Sequence, residues 1–206
     1  MSLTTPNQRA SSEIENTGIL LESDRNLPNV VSLVVGRPVI GSWWGHPKGR
    51  VIWAVMNELI SRPDIVPTKL VSGKVTLVAQ VLWPDLVAVG ASLEDWQTRG
   101  LSKKEMTLLR LVEEKGEITS IEAKDRLGST TGKAVLELER KLLIESEQFH
   151  TSKGFHAKRL RSWKRWSRKV KLSPELPSAS LAKENFERIL GGLNRKYGGH
   201  GGLPWE

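Results

Sequence analysis

Between Lys153 and Lys171 stand nine cations and no acid: Lys153, Lys158, Arg159, Arg161, Lys164, Arg165, Arg168, Lys169 and Lys171. Such a run suits the neutralising of a polyanion, each phosphate contact steepening the dependence of binding on salt. Arg159 and Arg161 lie two apart, so on a strand they share one face. The competing reading is a solvated face that binds nothing. A second cluster, Trp43, Trp44 and His46, sits between Gly41 and Pro47. It is either an aromatic pocket with an imidazole at its mouth or a buried corner that fixes the entry of the next helix. The buried corner is preferred. Trp163 and Trp166 also have two readings, stacking on the bases of a single strand or covering a core. The core is preferred, with Lys164, Arg165 and Arg168 facing out.

Other chemistry is poorly served. The histidines at 46, 150, 156 and 200 show no helical pairing and cysteine is absent, so no metal site is expected. His150 and His156 facing each other across a hairpin is the nearest approach to one. No glycine-rich phosphate loop, paired-carboxylate signature or Ser-His-Asp order stands out, and no cofactor is expected.

The elements that must position these residues begin at Leu101. Ser102 with Glu105, and Thr119 with Glu122, form two capping boxes, each starting a helix. Leu108, Leu109 and Val112 point inward on the first helix, which Gly116 ends. Ile121, Ala123 and Leu127 lie on the second, which Gly128 closes. Ser129 caps a third, with Val135, Leu138 and Leu142 as its apolar stripe. Glu137 and Glu139 make the middle of that helix an indifferent groove reader. Ile144–His150 and Phe155–Leu160 then read as a hairpin turning at Thr151–Gly154, with His150 and His156 on it. Three capped helices with short turns pack as a compact cluster.

The first hundred residues are less regular. Residues 1–26 read as a flexible segment, with Gly18–Leu21 a short docking strand or helix turn. Residues 27–98 read as helix, helix, hairpin, helix. Pro28 opens the first of these and Gly36 ends it, although its β-branched content makes a buried strand a competitor. The second helix follows Pro47 to about Ser61, the hairpin spans Thr68–Ala79 around Ser72-Gly73-Lys74, and Trp83-Pro84-Asp85 begins the last helix. Residues 172–206 read as a Pro/Ser linker, a short helix over Leu181–Leu193 and a glycine-rich tail ending in an apolar anchor.

The net charge is +8, and residues 101–172, with 18 cations and 10 acids, carry an excess equal to all of it. No apolar run approaches the roughly 18 residues of a membrane span, and Met1–Ala10 lacks a signal-peptide profile. A cytoplasmic protein without a membrane partner is expected.

Residues 101–163 resemble the winged helix-turn-helix superfamily. Gly41-Ser42-Trp43-Trp44-Gly45-His46-Pro47, Lys69–Thr76 and Leu82-Trp83-Pro84 resemble uncharacterised bacterial proteins related to the AlkZ-type DNA glycosylases. The fold expectation is therefore mainly α with small β-hairpin wings (α+β), in two tandem winged-helix-like units over 27–98 and 101–171. The resemblance implies double-stranded DNA, damaged or unusual, as a ligand. The glycosylases rely on Gln-x-Gln or Gln-x-Arg; here Gln80 stands without that partner, whereas Gln97 has Arg99 two residues on. The expected function is a DNA-binding protein that grips the backbone, in regulation or repair, through Ser129, Thr130, Thr131 and Lys133 at the third helix and Lys153, His156, Lys158, Arg159, Arg161, Lys164, Arg165 and Arg168 beyond it. The alternatives are a base-excision enzyme with its pocket at Trp43/Trp44, and a module that binds a protein partner or a second copy.

Overall fold

Thr5 and Gln8 reciprocally cap the first helix of a computed structural model that describes residues 5–151 and 154–206. Among the described residues the chain forms ten α-helices and two three-stranded antiparallel sheets, divided between two compact units. The first unit takes residues 1–83 with 184–204 and 206; the second takes 84–183 with 205.

In the first unit, α1 (Pro6–Thr17) leads into β1 (Ile19–Leu21), α2 (Val30–Val35), α3 (Gly49–Ile60), β2 (Ile65–Thr68) and β3 (Thr76–Ala79). The sheet order is β1-β3-β2. Pro67, which has no N–H to give, is tolerated because β2 lies on the edge. Ala10 and Ile14 of α1, Leu20 of β1, Val31 of α2, Ile52 and Leu59 of α3 and Leu77 of β3 share one buried cluster.

Several expectations are corrected here. Residues 6–17 are not a flexible lead but a helix, while the short strand offered for Gly18–Leu21 is present as Ile19–Leu21. The polar look of α1 hides its inward face, because only Ala10 and Ile14 turn to the core. The β-branched run Val30–Val35 is the expected helix and ends at Gly36, but Asn29 and not Pro28 starts it, its side chain accepting from the Ser32 N–H. The hairpin begins earlier than Thr68, pairing Thr68 with Thr76. Leu70 and Val71 are buried in the connection instead of on a strand.

The second unit begins within α4 (Trp83–Gly90) and continues through α5 (Asp95–Thr98), α6 (Lys103–Lys115), β4 (Glu117–Thr119), α7 (Ser120–Leu127), α8 (Thr131–Arg140), β5 (Glu145–His150), β6 (His156–Arg161) and α9 (Trp163–Lys169). Both expected capping boxes are present, Ser102 with Glu105 and Thr119 with Glu122. The helix trio encloses Leu108, Val112, Ala123 and Leu138, closed over by Ile118 and Leu160 of the sheet. The sheet order is β4-β6-β5, so β6 is the central strand. Three differences stand out. Thr130, not Ser129, occupies the cap position of α8, and its side chain makes no cap hydrogen bond. β4 adds a third strand to the hairpin. The boundary between units falls at Trp83/Pro84, so α5 belongs to the second unit and not to the first, which was expected to run to residue 98.

The two units share one element order: helix, strand, helix, helix, strand, strand. In each, the last strand is central between the first and second. The last helix, α10 (Ala179–Tyr197), is longer than expected and runs through Gly191 and Gly192. The tail beyond it is packed, not loose: Leu203 is buried, and Gly199 and Gly201 lie so close to Leu27 that a Cβ on either would clash with it.

Candidate nucleic-acid interface

The wing cations are positioned by β6, and its neighbours decide what they are free to do. Register pairs Arg161 with Glu145 on β5 and with Glu117 on β4, and Arg159 with Glu147. Arg161 is 2% exposed; its guanidinium lies 2.5 Å from Glu117, 3.0 Å from Glu145 and 2.6 Å from Glu147. Burial works against that charge, but the surrounding carboxylates hold it protonated beyond its ordinary range. The expectation that Arg161 grips a phosphate is corrected: its charge is committed inside the unit.

The neighbouring cations are partly committed too. Lys158 Nζ is 2.5 Å from Glu139 Oε1, and that carboxylate on α8 is itself buried. Arg159 lies 3.8 Å from Glu147 and over the Phe149 ring, while Lys169 Nζ is 2.9 Å from Glu147. Burial raises the Glu147 carboxyl, but Lys169 and Arg161 outweigh it and hold it below the usual carboxylate range.

Glu145 is the odd member. Of the three acids around Arg161, Glu117, Glu145 and Glu147, Glu145 is the most buried, and Arg161 is the cation in contact with it. Burial pushes its carboxyl up to about 7, against the pull of Arg161. The folded chain thus keeps a proton that the unfolded chain releases near pH 4.5. Its contribution to stability is full below that pH and is lost as pH rises through 7. Comparing urea unfolding of wild type and Glu145→Gln from pH 4.5 to 8 is expected to show a wild-type decline larger by about 3 kcal/mol. Parallel profiles would refute the assignment.

The other expected contacts divide. Ser129, Thr130 and Lys133 are exposed at the start of α8, and Lys104 Nζ donates to the Thr130 hydroxyl. Thr131 turns inward and donates to the Gly128 carbonyl at 2.6 Å, so its hydroxyl is not presented outward. His156 packs its ring 4.3 Å from that of His150, with the Gln148 amide 2.9 Å from its Nδ1. Among the described residues no group of three or more His, Asp or Glu side chains is placed to hold a metal ion. Lys153 lies outside the described residues.

On α9, Trp163 and Trp166 are buried edge to face, 5.6 Å apart, as the core reading required. Lys164, Arg165 and Arg168 are exposed on the other side. Lys164 lies near Glu113, whose carboxyl is raised by burial and pulled back by that lysine.

In the first unit, Trp43 and Trp44 stack at 4.2 Å with 21° between their planes. Trp43 is buried and Trp44 is 67% exposed, so the corner is half structure and half surface. The Ser42 hydroxyl accepts from the Trp44 N–H. His46 does not stand at the mouth of the hollow beside them; its Nδ1 accepts from the Lys48 N–H at 3.1 Å. Gln97, the glutamine with an arginine two residues on, is fully buried and committed to Ser92, Glu94 and the Lys141 carbonyl.

The pairing of β6 with acids was missed in the sequence, although a signal existed. Glu145 and Glu147 alternate with the same period of two as Arg159 and Arg161, so an antiparallel hairpin brings the two pairs to one face.

Among the described residues no helix is long and apolar enough to cross a membrane. Searches of curated proteins and of solved structures gave no match. The family model described as "AlkZ related" matches residues 5–190, which takes in both element repeats and the tryptophan corner. The chain belongs to the AlkZ related family.

Proposed function

We propose that this chain is a DNA-binding protein built of two winged helix-turn-helix units, of which the second grips the duplex backbone. The element order supports the fold reading, since helix, strand, helix, helix and a two-stranded wing occurs twice, with the same strand order each time. The observation that carries the function is the exposed cationic side of α9, with Lys164, Arg165 and Arg168 set outward by two buried tryptophans. Lys133, Ser129 and Thr130 at the start of α8 supply a second approach, where side chains of a helix end meet phosphates or base edges. Lys158 and Arg159 contribute less than their sequence suggests, because Glu139 and Glu147 already neutralise much of their charge. Such a surface favours backbone gripping over sequence reading.

Lys164→Glu/Arg165→Glu/Arg168→Glu is expected to weaken duplex binding at least tenfold in low salt. It should also flatten the plot of log affinity against log salt by about 0.9 for each phosphate that the variant no longer neutralises. Fluorescence anisotropy of a labelled duplex across a salt series measures both. A wild-type chain that leaves the duplex unbound at low salt, or a variant with unchanged slope, overturns the reading.

A further inference from the structure

In the first unit α3 holds the place that α8 holds in the second: it is the third helix, and two paired strands follow it. Their outward faces differ. The start of α8 offers Lys133 and hydroxyls, whereas α3 offers mostly apolar side chains. Ile52, Val55, Met56 and Leu59 of α3 turn into the core. At 3.6 residues per turn, the opposite side of the helix runs through Arg50, Ala54 and Asn57. Trp53 and Ile60 flank that row on one side, Val51 and Glu58 on the other. Trp53 is 53% exposed, Val51 45% and Ile60 39%. Apolar side chains gathered on one exposed helix face mark a surface that meets another molecule, and tryptophan is the side chain most often at the centre of such a contact.

The charges on this face say which molecule it meets. Among the described residues Arg50 pairs with no acid and Glu58 with no cation, although the Glu58 carboxylate accepts from the Asn7 amide. Arg50 stands four residues before Ala54 and Glu58 four residues after it. When two copies of α3 lie antiparallel about a two-fold axis at Ala54, Arg50 of each copy faces Glu58 of the other. The same rotation keeps each flank on its own side of the pair, so the two Trp53 rings meet beside the axis. Ala54 is small enough to let the helices approach closely there. A two-fold interface needs this kind of match of one patch with itself. A parallel pair would instead set Arg50 against Arg50 and Glu58 against Glu58, and like charges repel.

The geometry points to the outward face of α3 as a homodimer interface, with Trp53 at its apolar centre and an Arg50–Glu58 pair at each end. The interface does not rest on the duplex reading, since every residue in it lies in the first unit. It adds to that reading, because a dimer carries two cationic α9 surfaces on one particle and gains avidity from them.

Sedimentation equilibrium of the full chain tests this with no DNA present, so its failure leaves duplex gripping standing. Wild type is expected to dimerise reversibly at micromolar concentration. Trp53→Ala is expected to weaken the dimer roughly tenfold or more. Arg50→Glu and Glu58→Arg should each abolish it when alone, because each sets like charges face to face at both ends. Neither offends the helix, since an acid suits its first turn and a cation its last; circular dichroism checks that both fold. Mixed in equal amounts, the two variants should form a heterodimer about as tight as the wild-type dimer, because every facing pair is then of opposite sign. A misfolded variant does not give that rescue. A wild type that is monomeric at sub-millimolar concentration overturns the proposal and leaves the face to a different protein. A dimer that these substitutions leave unchanged lies on another surface and overturns it as well, and so do two monomeric variants that fail to pair when mixed.

Discussion

Replacing Arg161 with methionine is expected to cost about 3–5 kcal/mol of stability at pH 8, the range for breaking a buried ion pair from one side. The cause is what is left behind. Glu145 is 4% exposed, and without the guanidinium its carboxylate is buried with no cation in contact. The pH dependence makes the prediction sharp. At pH 5 Glu145 carries a proton in the wild type already, so losing Arg161 there removes hydrogen bonds but strands less charge. The cost should therefore shrink as pH falls from 8 to 5. Urea unfolding of both chains at the two pH values checks this, and the melting temperature at pH 8 should drop by roughly 10 °C. A cost under about 1 kcal/mol at pH 8 would mean that the cluster is solvated and does not hold the sheet together. Arg161→Met/Glu145→Leu, which removes the stranded acid, is expected to recover part of the loss.

The second large effect centres on Trp163, which is 1% exposed and donates its indole N–H to the Leu142 carbonyl at 2.6 Å. Leu142 holds a φ of 52°, an unfavourable conformation for a branched side chain, and that bond helps keep it there. The ring also lies flush on Gly90, where an added Cβ would come within 2.3 Å of Nε1. Trp163→Ala is expected to cost about 3–5 kcal/mol through the cavity it opens. Gly90→Ala would ordinarily stabilise a helix by about 0.5–1 kcal/mol. Here it must displace the ring and is expected to cost about 1–3 kcal/mol. The two are coupled: once Trp163 is alanine the new methyl has room, so Gly90→Ala should turn neutral or stabilising. A double-mutant cycle by urea unfolding measures this, and additive costs would show that the ring and Gly90 do not constrain each other.

These two sites mark where the sequence was readable. The burial of Trp163 and Trp166 was legible from their spacing of three, which puts both on one helix face and the cations on the other. The capping boxes of α6 and α7 were legible because they are local, with donor and acceptor three residues apart. Arg161 was not legible as a core residue. Its partners Glu147, Glu145 and Glu117 lie 14, 16 and 44 residues away, and a cation in an acid-free run looks like a solvent-facing charge until the register is known. β4 was missed for the same reason, since three residues after a helix-ending glycine form a strand only because β6 is there to pair with them. α1 was missed because two inward residues in twelve leave a composition that reads as polar. At the tryptophan corner, sequence offered pocket or core as alternatives, and the two rings divide between them.

The division of the chain has a consequence for how the protein is made. The second unit draws all but Trp205 from one uninterrupted run, whereas the first needs residues from both ends. A nascent chain therefore holds the main run of the later unit before the closing pieces of the first are made. Leu27, a core residue near the start of the first unit, makes its close contacts with Gly199 and Gly201 only when they arrive. For most of translation the N-terminal unit lacks its last pieces and carries exposed apolar surface, the condition in which partly folded chains aggregate.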